Sequence, residues 1–295
     1  MRGRKPLGPE KRTGVFERGR NAGAPQPKHA AMAFRGKPEP EKAKSEGKTG
    51  APGFRRAGAD VALLYGFHSV VEALRNKSRQ CLDLYATAAA AERLKDDIET
   101  AGVPLHVVES ETLTRRLGAD CVHQGILLET RPLPALHLDE IIARSGIILV
   151  LDQITDPHNV GAILRSAAAY GVDAVVTTER HAPELSGVLA KAASGALEHV
   201  AVIEVVNLAR ALEEIGDLGY LRIGLDSEAP VALQGLAASR PLALVFGAEG
   251  KGLRRLTREN CDHLARLDLP GAIKSLNVSN ACAIALTLVQ MTQAV

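Results

Sequence analysis

Aromatic residues are scarce in this chain. They make up 3% of its 295 residues, with no tryptophan, four tyrosines and five phenylalanines. Recognition of a nucleic acid by such a chain leans on charge more than on stacked rings. Cysteine is scarce too. Cys81, Cys121, Cys261 and Cys282 lie far apart with no C-x-x-C pair. That excludes a disulfide framework and fits reduced thiols in the cytosol. Cys282 falls among Ala281, Ala283 and Ala285, a small-residue packing context. Cys261 and His263 are neighbours, but no second pair completes a ligand set, so no metal is expected. Long apolar runs are also missing. None approaches the roughly 18 residues of a membrane span, and the N-terminus lacks the apolar core of a signal peptide. Residues 1–59 hold one serine, Ser45, and five acids, unlike a transit peptide. A cytoplasmic protein with no membrane partner is expected.

The net charge of +2 conceals an asymmetry. Residues 1–59 carry 15 Lys/Arg against 5 Asp/Glu, whereas residues 60–295 carry 21 against 29. A basic tail on a mildly acidic body suits a polyanionic partner such as RNA, or is simply a solvated arm. The tail is rich in Gly, Pro, Lys and Arg, without apolar period, and is expected to be disordered.

Residues 60–131 read as a small α/β unit. His68–Asn76 has helical apolar spacing, Cys81–Thr87 alternates as a strand, and Ala89–Ala101 is a helix stopped by Gly102 and Pro104. A short strand at Leu105–Val108, a helix opened by Ser110 and a strand at Gly125–Thr130 complete it. Pro132 and Pro134 begin a linker over 132–144. Residues 145–295 alternate strand and helix. Strands are expected at Ile147–Asp152, Ala174–Thr177, Val200–Val205, Leu221–Leu225, Leu242–Phe246 and Leu264–Leu269. Helices are expected at Val160–Ala169, Glu184–Ala193, Leu208–Ile215 and Leu276–Met291. Continuous apolar strands such as IILVL and LALVF imply burial on both faces, hence a mostly parallel sheet between helices.

Three segments exceed plain packing, each after a buried strand, where open α/β sheets place their ligand crevices. Asp152–Arg165 has Asn159 where an N-cap belongs, with Gly161 and Arg165 four residues apart on one helix face. An ordinary cap and a surface arginine would also explain it. Leu244–Leu253 packs Gly247, Gly250 and Gly252 around Glu249, a tight loop with exposed amides that can wrap a ligand. It is neither a dinucleotide fingerprint nor a P-loop, and a plain glycine turn is the simpler alternative. Leu267–Asn280 crowds Ser275, Asn277, Ser279 and Asn280 at the start of a long helix, which Ser275 can cap.

Together these segments resemble the SpoU (TrmH-like) family of RNA ribose 2'-O-methyltransferases. They match its N-x-G-x-x-x-R, F-G-x-E-G-x-G and S-L-N-V-S motifs, in order and near the family's spacing. Tyr65-Gly-Phe-His-Ser-Val-Val-Glu-Ala-Leu74 and Val122-His-Gln-Gly125 look like the substrate-binding domain of the RlmB-like subgroup, which acts on a 23S rRNA guanosine. The resemblance covers everything but residues 1–59. It implies a SPOUT-type fold with a C-terminal trefoil knot, whereas the strand pattern alone predicts an ordinary doubly wound sheet. It implies S-adenosylmethionine as cofactor, lined by Gly247, Leu269 and Leu276. It implies Asn159, Arg165, Glu249, Ser275 and Asn277 as functional positions, and a homodimer with the site at its seam. Between Leu269-Pro270 and Ser275-Leu276 the chain is about two residues shorter than many members of the family, which often read I-P-M-x-G before the S-L-N.

The expected chemistry turns on a poor nucleophile, a ribose hydroxyl, whose developing alkoxide must be stabilised. Arg165 is the candidate, read as a charged clamp on oxyanion and phosphate, since a neutral guanidine is rare. Asn159 and Glu249 would orient ribose and arginine, and Asn277 would hold the loop or cofactor. The rivals are a tRNA ribose as substrate, and a non-catalytic RNA-binding or ribosome-assembly protein.

Overall fold

The computed structural model describes residues 53–55, 58, 60–141, 146–180, 182–185, 187–236 and 241–293. Nearly all of the expected tail lies outside them.

The first unit is a four-stranded sheet with its helices. In chain order it runs β1 (Ala62–Tyr65), α1 (Phe67–Arg75), β2 (Cys81–Ala86), α2 (Ala88–Arg93), α3 (Lys95–Ala101), β3 (Leu105–Val107), α4 (Ser110–Leu117) and β4 (Ile126–Thr130). The sheet order is β1-β4-β2-β3, with β4 antiparallel to both neighbours and β2 parallel to β3. Every residue of β4 is buried, as its central place requires. β1 is absent from the sequence reading, because four residues without alternation carry too little period. The single helix expected at 89–101 is two, broken at Leu94, whose ψ of 12° leaves the helical region. Ahead of β1, Phe54 lies on Tyr85 with ring centroids 4.5 Å apart. The Arg55 amide donates to Glu129 Oε1 at 3.0 Å, and its guanidinium pairs with Asp83 at 2.8 Å. These contacts precede Asp60, so packing starts before the composition shifts.

The second unit runs β5 (Ile147–Asp152), α5 (Pro157–Ala169), β6 (Ala174–Thr178), α6 (Gly187–Ala193), β7 (Ala201–Val205), α7 (Leu208–Asp217), β8 (Leu221–Leu225), β9 (Val231–Ala232), β10 (Leu242–Gly247), α8 (Arg255–Glu259), β11 (His263–Arg266) and α9 (Val278–Gln293). Its sheet order is β7-β6-β5-β10-β8-β11-β9, and every strand pair is parallel. Two late strands enter slots rather than edges: β10 between β5 and β8, and β11 between β8 and β9. A simple doubly wound sheet would not need this.

Alternation along β5 divides the core into two layers. Ile147, Leu149 and Leu151 join Ile163 and Leu164 of α5, Leu189 of α6 and Leu286 of α9. Ile148 and Val150 join Leu208, Leu212 and Ile215 of α7. Gly161 sits beneath α6: a Cβ there would lie 2.4 Å from Ala192 Cβ and 2.9 Å from the Ala193 nitrogen. The room that glycine leaves is thus filled by a neighbouring helix, not by a ligand.

The two units share the first core layer. Ser69 Oγ donates to the Ala190 carbonyl at 2.8 Å. Arg79 and Glu198 meet at 2.5 Å with their side chains 2% and 3% exposed, and Asn76 Nδ2 adds a bond to Glu198 at 2.7 Å. Removing one partner of such a buried pair costs about 3–5 kcal/mol. The pair therefore fixes the front unit on the back one.

Candidate active site

The chain crosses from β5 into α5, from β10 into a glycine loop, and from β11 into α9. All three crossings end at one place. α5 begins earlier than its apolar period suggests, because Asp156 caps it by accepting from the His158 amide and Pro157 fills the first turn. Asn159 is therefore not the cap but a first-turn residue whose side chain is free for other work. At α9 the cap is Asn277, not Ser275. Its Oδ1 accepts from the Ser279 amide at 2.9 Å, the Ser279 hydroxyl at 2.5 Å and the Asn280 amide at 3.4 Å.

With its oxygen so used, Asn277 can only point its amino group outward. Nδ2 donates to Glu249 Oε1 at 2.7 Å and to Asn159 Oδ1 at 2.8 Å. Asn159 Nδ2 closes the triangle by donating to the same Glu249 oxygen at 3.0 Å, and the Val278 amide reaches it at 3.4 Å. One carboxylate oxygen thus collects three donors from two other segments. Glu249 Oε2 has no partner among the described residues. Glu249 and Asn277 are exposed and Asn159 is half-buried, so the free carboxylate oxygen is open to a ligand above the loops.

Arg165 is not drawn into the triangle. It stands on α5 beyond Asn159, exposed, with no acceptor among the described residues. That is unusual here. Arg55, Arg75, Arg79, Arg115, Arg116, Arg131, Arg210, Arg222, Arg254, Arg255, Arg258 and Arg266 all donate to protein oxygens. Ser275 is exposed in the loop before α9 and makes no bond to the triangle. Gly247 ends β10, and a Cβ there would lie 2.2 Å from the Gly252 carbonyl carbon, so the loop closes backbone on backbone. The Leu269 carbonyl accepts from Lys274 Nζ at 2.6 Å, which braces the short loop. Ile273 and Leu276 expose apolar side chains, 76% and 37%, in the same loop that leads into the triangle.

Sequence reasoning missed the buttress behind these loops. Asp152, fully buried at the end of β5, accepts from the Arg254 amide at 2.9 Å and its Nε at 2.6 Å. A carboxylate closing an otherwise apolar strand was the available signal. Cysteine takes no part in this chemistry: burial pushes the Cys261 and Cys282 thiols up to about 12, so both stay protonated at neutral pH. Among the described residues no cluster of His, Cys, Asp or Glu is arranged to hold a metal ion, and no helix is long and apolar enough to cross a membrane.

Comparison with known proteins gives the family of the chain. Residues 146–287 match the SpoU rRNA Methylase family, and residues 63–136 match the RNA 2'-O ribose methyltransferase substrate binding family. The 23S rRNA (guanosine-2'-O-)-methyltransferase RlmB of Ralstonia nicotianae is 42% identical over 232 residues, covering 76% of this chain and 93% of the relative. The protein of that name from Pseudomonas aeruginosa is 37% identical, covering 76% and 93%. Among solved structures, the SpoU methyltransferase AviRb of Streptomyces viridochromogenes, in complex with AdoMet, superposes with a TM-score of 0.69 at 21% identity, covering 80% of this chain and 91% of that one. An AdoMet-bound rRNA methyltransferase from Sinorhizobium meliloti gives 0.68 at 19% identity, covering 79% and 87%. The fold is that of the SPOUT methyltransferases, and the chain belongs to the SpoU rRNA methylase family.

Proposed function

We propose that this chain is an S-adenosylmethionine-dependent RNA ribose 2'-O-methyltransferase acting on a guanosine of 23S rRNA, in the cytoplasm and as a homodimer. The observation that carries the reading is the closed Asn159–Glu249–Asn277 triangle, with the unpaired Arg165 on the helix that supplies Asn159. A protein that had kept only the fold would have no use for three polar loops tied at one point.

The donor set fits the cofactor. Gly247 and its neighbours present backbone, Ile273 and Leu276 an apolar wall, and Leu269 a carbonyl braced by Lys274. Gly247, Leu269 and Leu276 would hold the ligand, and bound S-adenosylmethionine supplies an electrophilic methyl group. The rest falls to the chain. Glu249 Oε2, its partner oxygen pinned, accepts a ribose hydroxyl and orients it. Arg165 stays charged and steadies the alkoxide as the 2'-hydroxyl proton passes to Glu249 Oε2, while gripping a neighbouring phosphate. Ser275, exposed in the loop that leads from Leu269 to Asn277, offers its hydroxyl to the substrate. The homodimer is supported by Ile284, Leu288 and Met291, which form an apolar stripe along α9; Ile284 and Met291 are exposed.

The test is transfer of labelled methyl to 23S rRNA and, in parallel, to tRNA, both transcribed without modifications, with the product ribose mapped by resistance to alkaline cleavage. Label on a guanosine 2'-oxygen is expected. Label on tRNA only, or none, overturns the reading.

A further inference from the structure

The two motifs of the front unit that resemble its family's substrate-binding domain are far apart in sequence but meet at the seam with the back unit. Gly66, at a φ of 86°, turns the chain from β1 into α1. The Phe67 amide donates to Gln124 Oε1 at 2.7 Å, which ties the two motifs together. Gln124 itself holds a φ of 57°, which a side-chain-bearing residue adopts only when its surroundings fix it. Its amide nitrogen has no partner among the described residues. Lys191 of α6 lays its stem over Gly66, whose Cβ would sit 3.3 Å from Lys191 Cγ. Burial, helped by the Lys191 charge, holds His123 below the usual histidine range. Arg93 at the end of α2 covers the Phe67 ring, its guanidinium carbon 3.8 Å from the centroid.

Arg93 and Lys191, like Arg165, have no described acidic group or carbonyl accepting from them. Arg180, Lys77, Lys95 and Lys251 share that, so what sets Arg93 and Lys191 apart is their place on Phe67 and Gly66, beside Gln124. Arg93 is exposed, so the guanidinium face turned away from Phe67 is open. A guanidinium already stacked on a ring is a flat, rigid platform for a base, and it suits a chain so short of aromatics. Lys191 adds a point charge suited to a phosphate. The platform is one helix away from the triangle. Ala192, next to Lys191, packs directly on Gly161, and Gly161 is two residues from Asn159.

We propose that Arg93 stacked on Phe67, with Gln124 and Lys191, forms a docking site for one unpaired nucleotide of the RNA, flanking the nucleotide to be methylated. The base lies on the open face of Arg93, the Gln124 amide donates to its edge, and Lys191 takes its phosphate. This rests on the RNA substrate reading above. The buried Arg79–Glu198 pair holds the site at a fixed span from the triangle, so it measures as well as binds.

The test compares full-length wild type, Arg93→Ala, Arg93→Lys, Lys191→Ala and a surface control, Lys77→Ala. Lys77 is exposed and lies past the end of α1 opposite Phe67. Each protein is titrated with unmodified 23S rRNA fragments and assayed for methyl transfer. Arg93→Ala and Lys191→Ala are expected to raise the KM for RNA about tenfold, consistent with loss of one stacked base or one phosphate contact. The KM for cofactor should stay at the wild-type value, and the thermal midpoint should fall only slightly, as the Arg93 and Lys191 stems leave Phe67 and Gly66. Arg93→Lys keeps the charge but not the plane and should behave as Arg93→Ala. Lys77→Ala, which removes one surface charge away from the platform, should be silent. Wild-type affinity in both Arg93→Ala and Lys191→Ala overturns the docking site alone. Failure of the wild type to bind RNA at all overturns the substrate reading and the docking site together.

Discussion

Asn277 does two jobs with opposite ends of one amide, and two substitutions separate them. Its oxygen caps α9, and its nitrogen ties Glu249 to Asn159. Asn277→Ser keeps a capping oxygen and loses the tie, whereas Asn277→Ala loses both. A cap is worth about 1 kcal/mol. The two bonds of the tie add about 1–2 kcal/mol, at the low end of their range because the residue is exposed. Asn277→Ser should therefore cost about 1–2 kcal/mol in denaturant unfolding, and Asn277→Ala about 2–3 kcal/mol. Activity should not follow that ranking. Once untied, the Glu249 loop no longer holds its free oxygen in place, and a shift of about 1 Å is enough to cost roughly 100-fold in rate. Single-turnover methyl transfer should then fall by at least about tenfold in both variants, by similar factors. If Asn277→Ser transferred methyl at the wild-type rate, the triangle would be a helix cap with neighbours and the assignment of Glu249 would fail.

Other outcomes are expected. Arg165→Lys keeps charge but loses the planar fork, so turnover should drop while cofactor affinity, read by calorimetry, stays unchanged; near-normal turnover would remove Arg165 from the mechanism. Gly161→Ala places a methyl 2.4 Å from Ala192 Cβ and should cost about 1–3 kcal/mol as α5 and α6 part, visible as a lower melting temperature. Truncating residues 1–52 should weaken RNA binding mainly at low salt and leave cofactor affinity intact, since the tail's contribution is charge. Truncating residues 1–59 should also destabilise the front unit, because Phe54 covers Tyr85 and Arg55 answers the buried Glu129; equal melting temperatures for the two truncations would contradict this.

Much of this architecture was legible in the sequence. β5, β8 and α7 fall close to where apolar runs and periods put them, because strands buried on both faces and a one-sided helix leave strong patterns. What escaped was short or defined by something distant. β1 and β9 have too few residues for a period, and α8 is five residues without an apolar stripe. The helix expected from Glu184 begins at Gly187. The residues of the triangle were named from their motifs, but their caps were misassigned. Asp156 and Asn277 hold those roles, since which of several adjacent polar residues turns back to the helix depends on the loop's path. Gly161 was read as leaving room for another backbone or a ligand; it is the backbone of α6 that fills it, a choice no local pattern announces. The strand order was beyond reach for the same reason: a parallel strand reads alike whether it joins an edge or enters a slot.

That slot has a consequence for how the protein comes into being. As the chain leaves the ribosome, β5 and β8 are made well before residues 242–247, so both must wait with unpaired edges for the strand that lies between them. Such long-range pairing is slow and leaves open edges at risk of joining other chains. The glycine loop and α9 are synthesised later still. A nascent or truncated chain therefore has no partly working centre: its chemistry arrives only with the last helix.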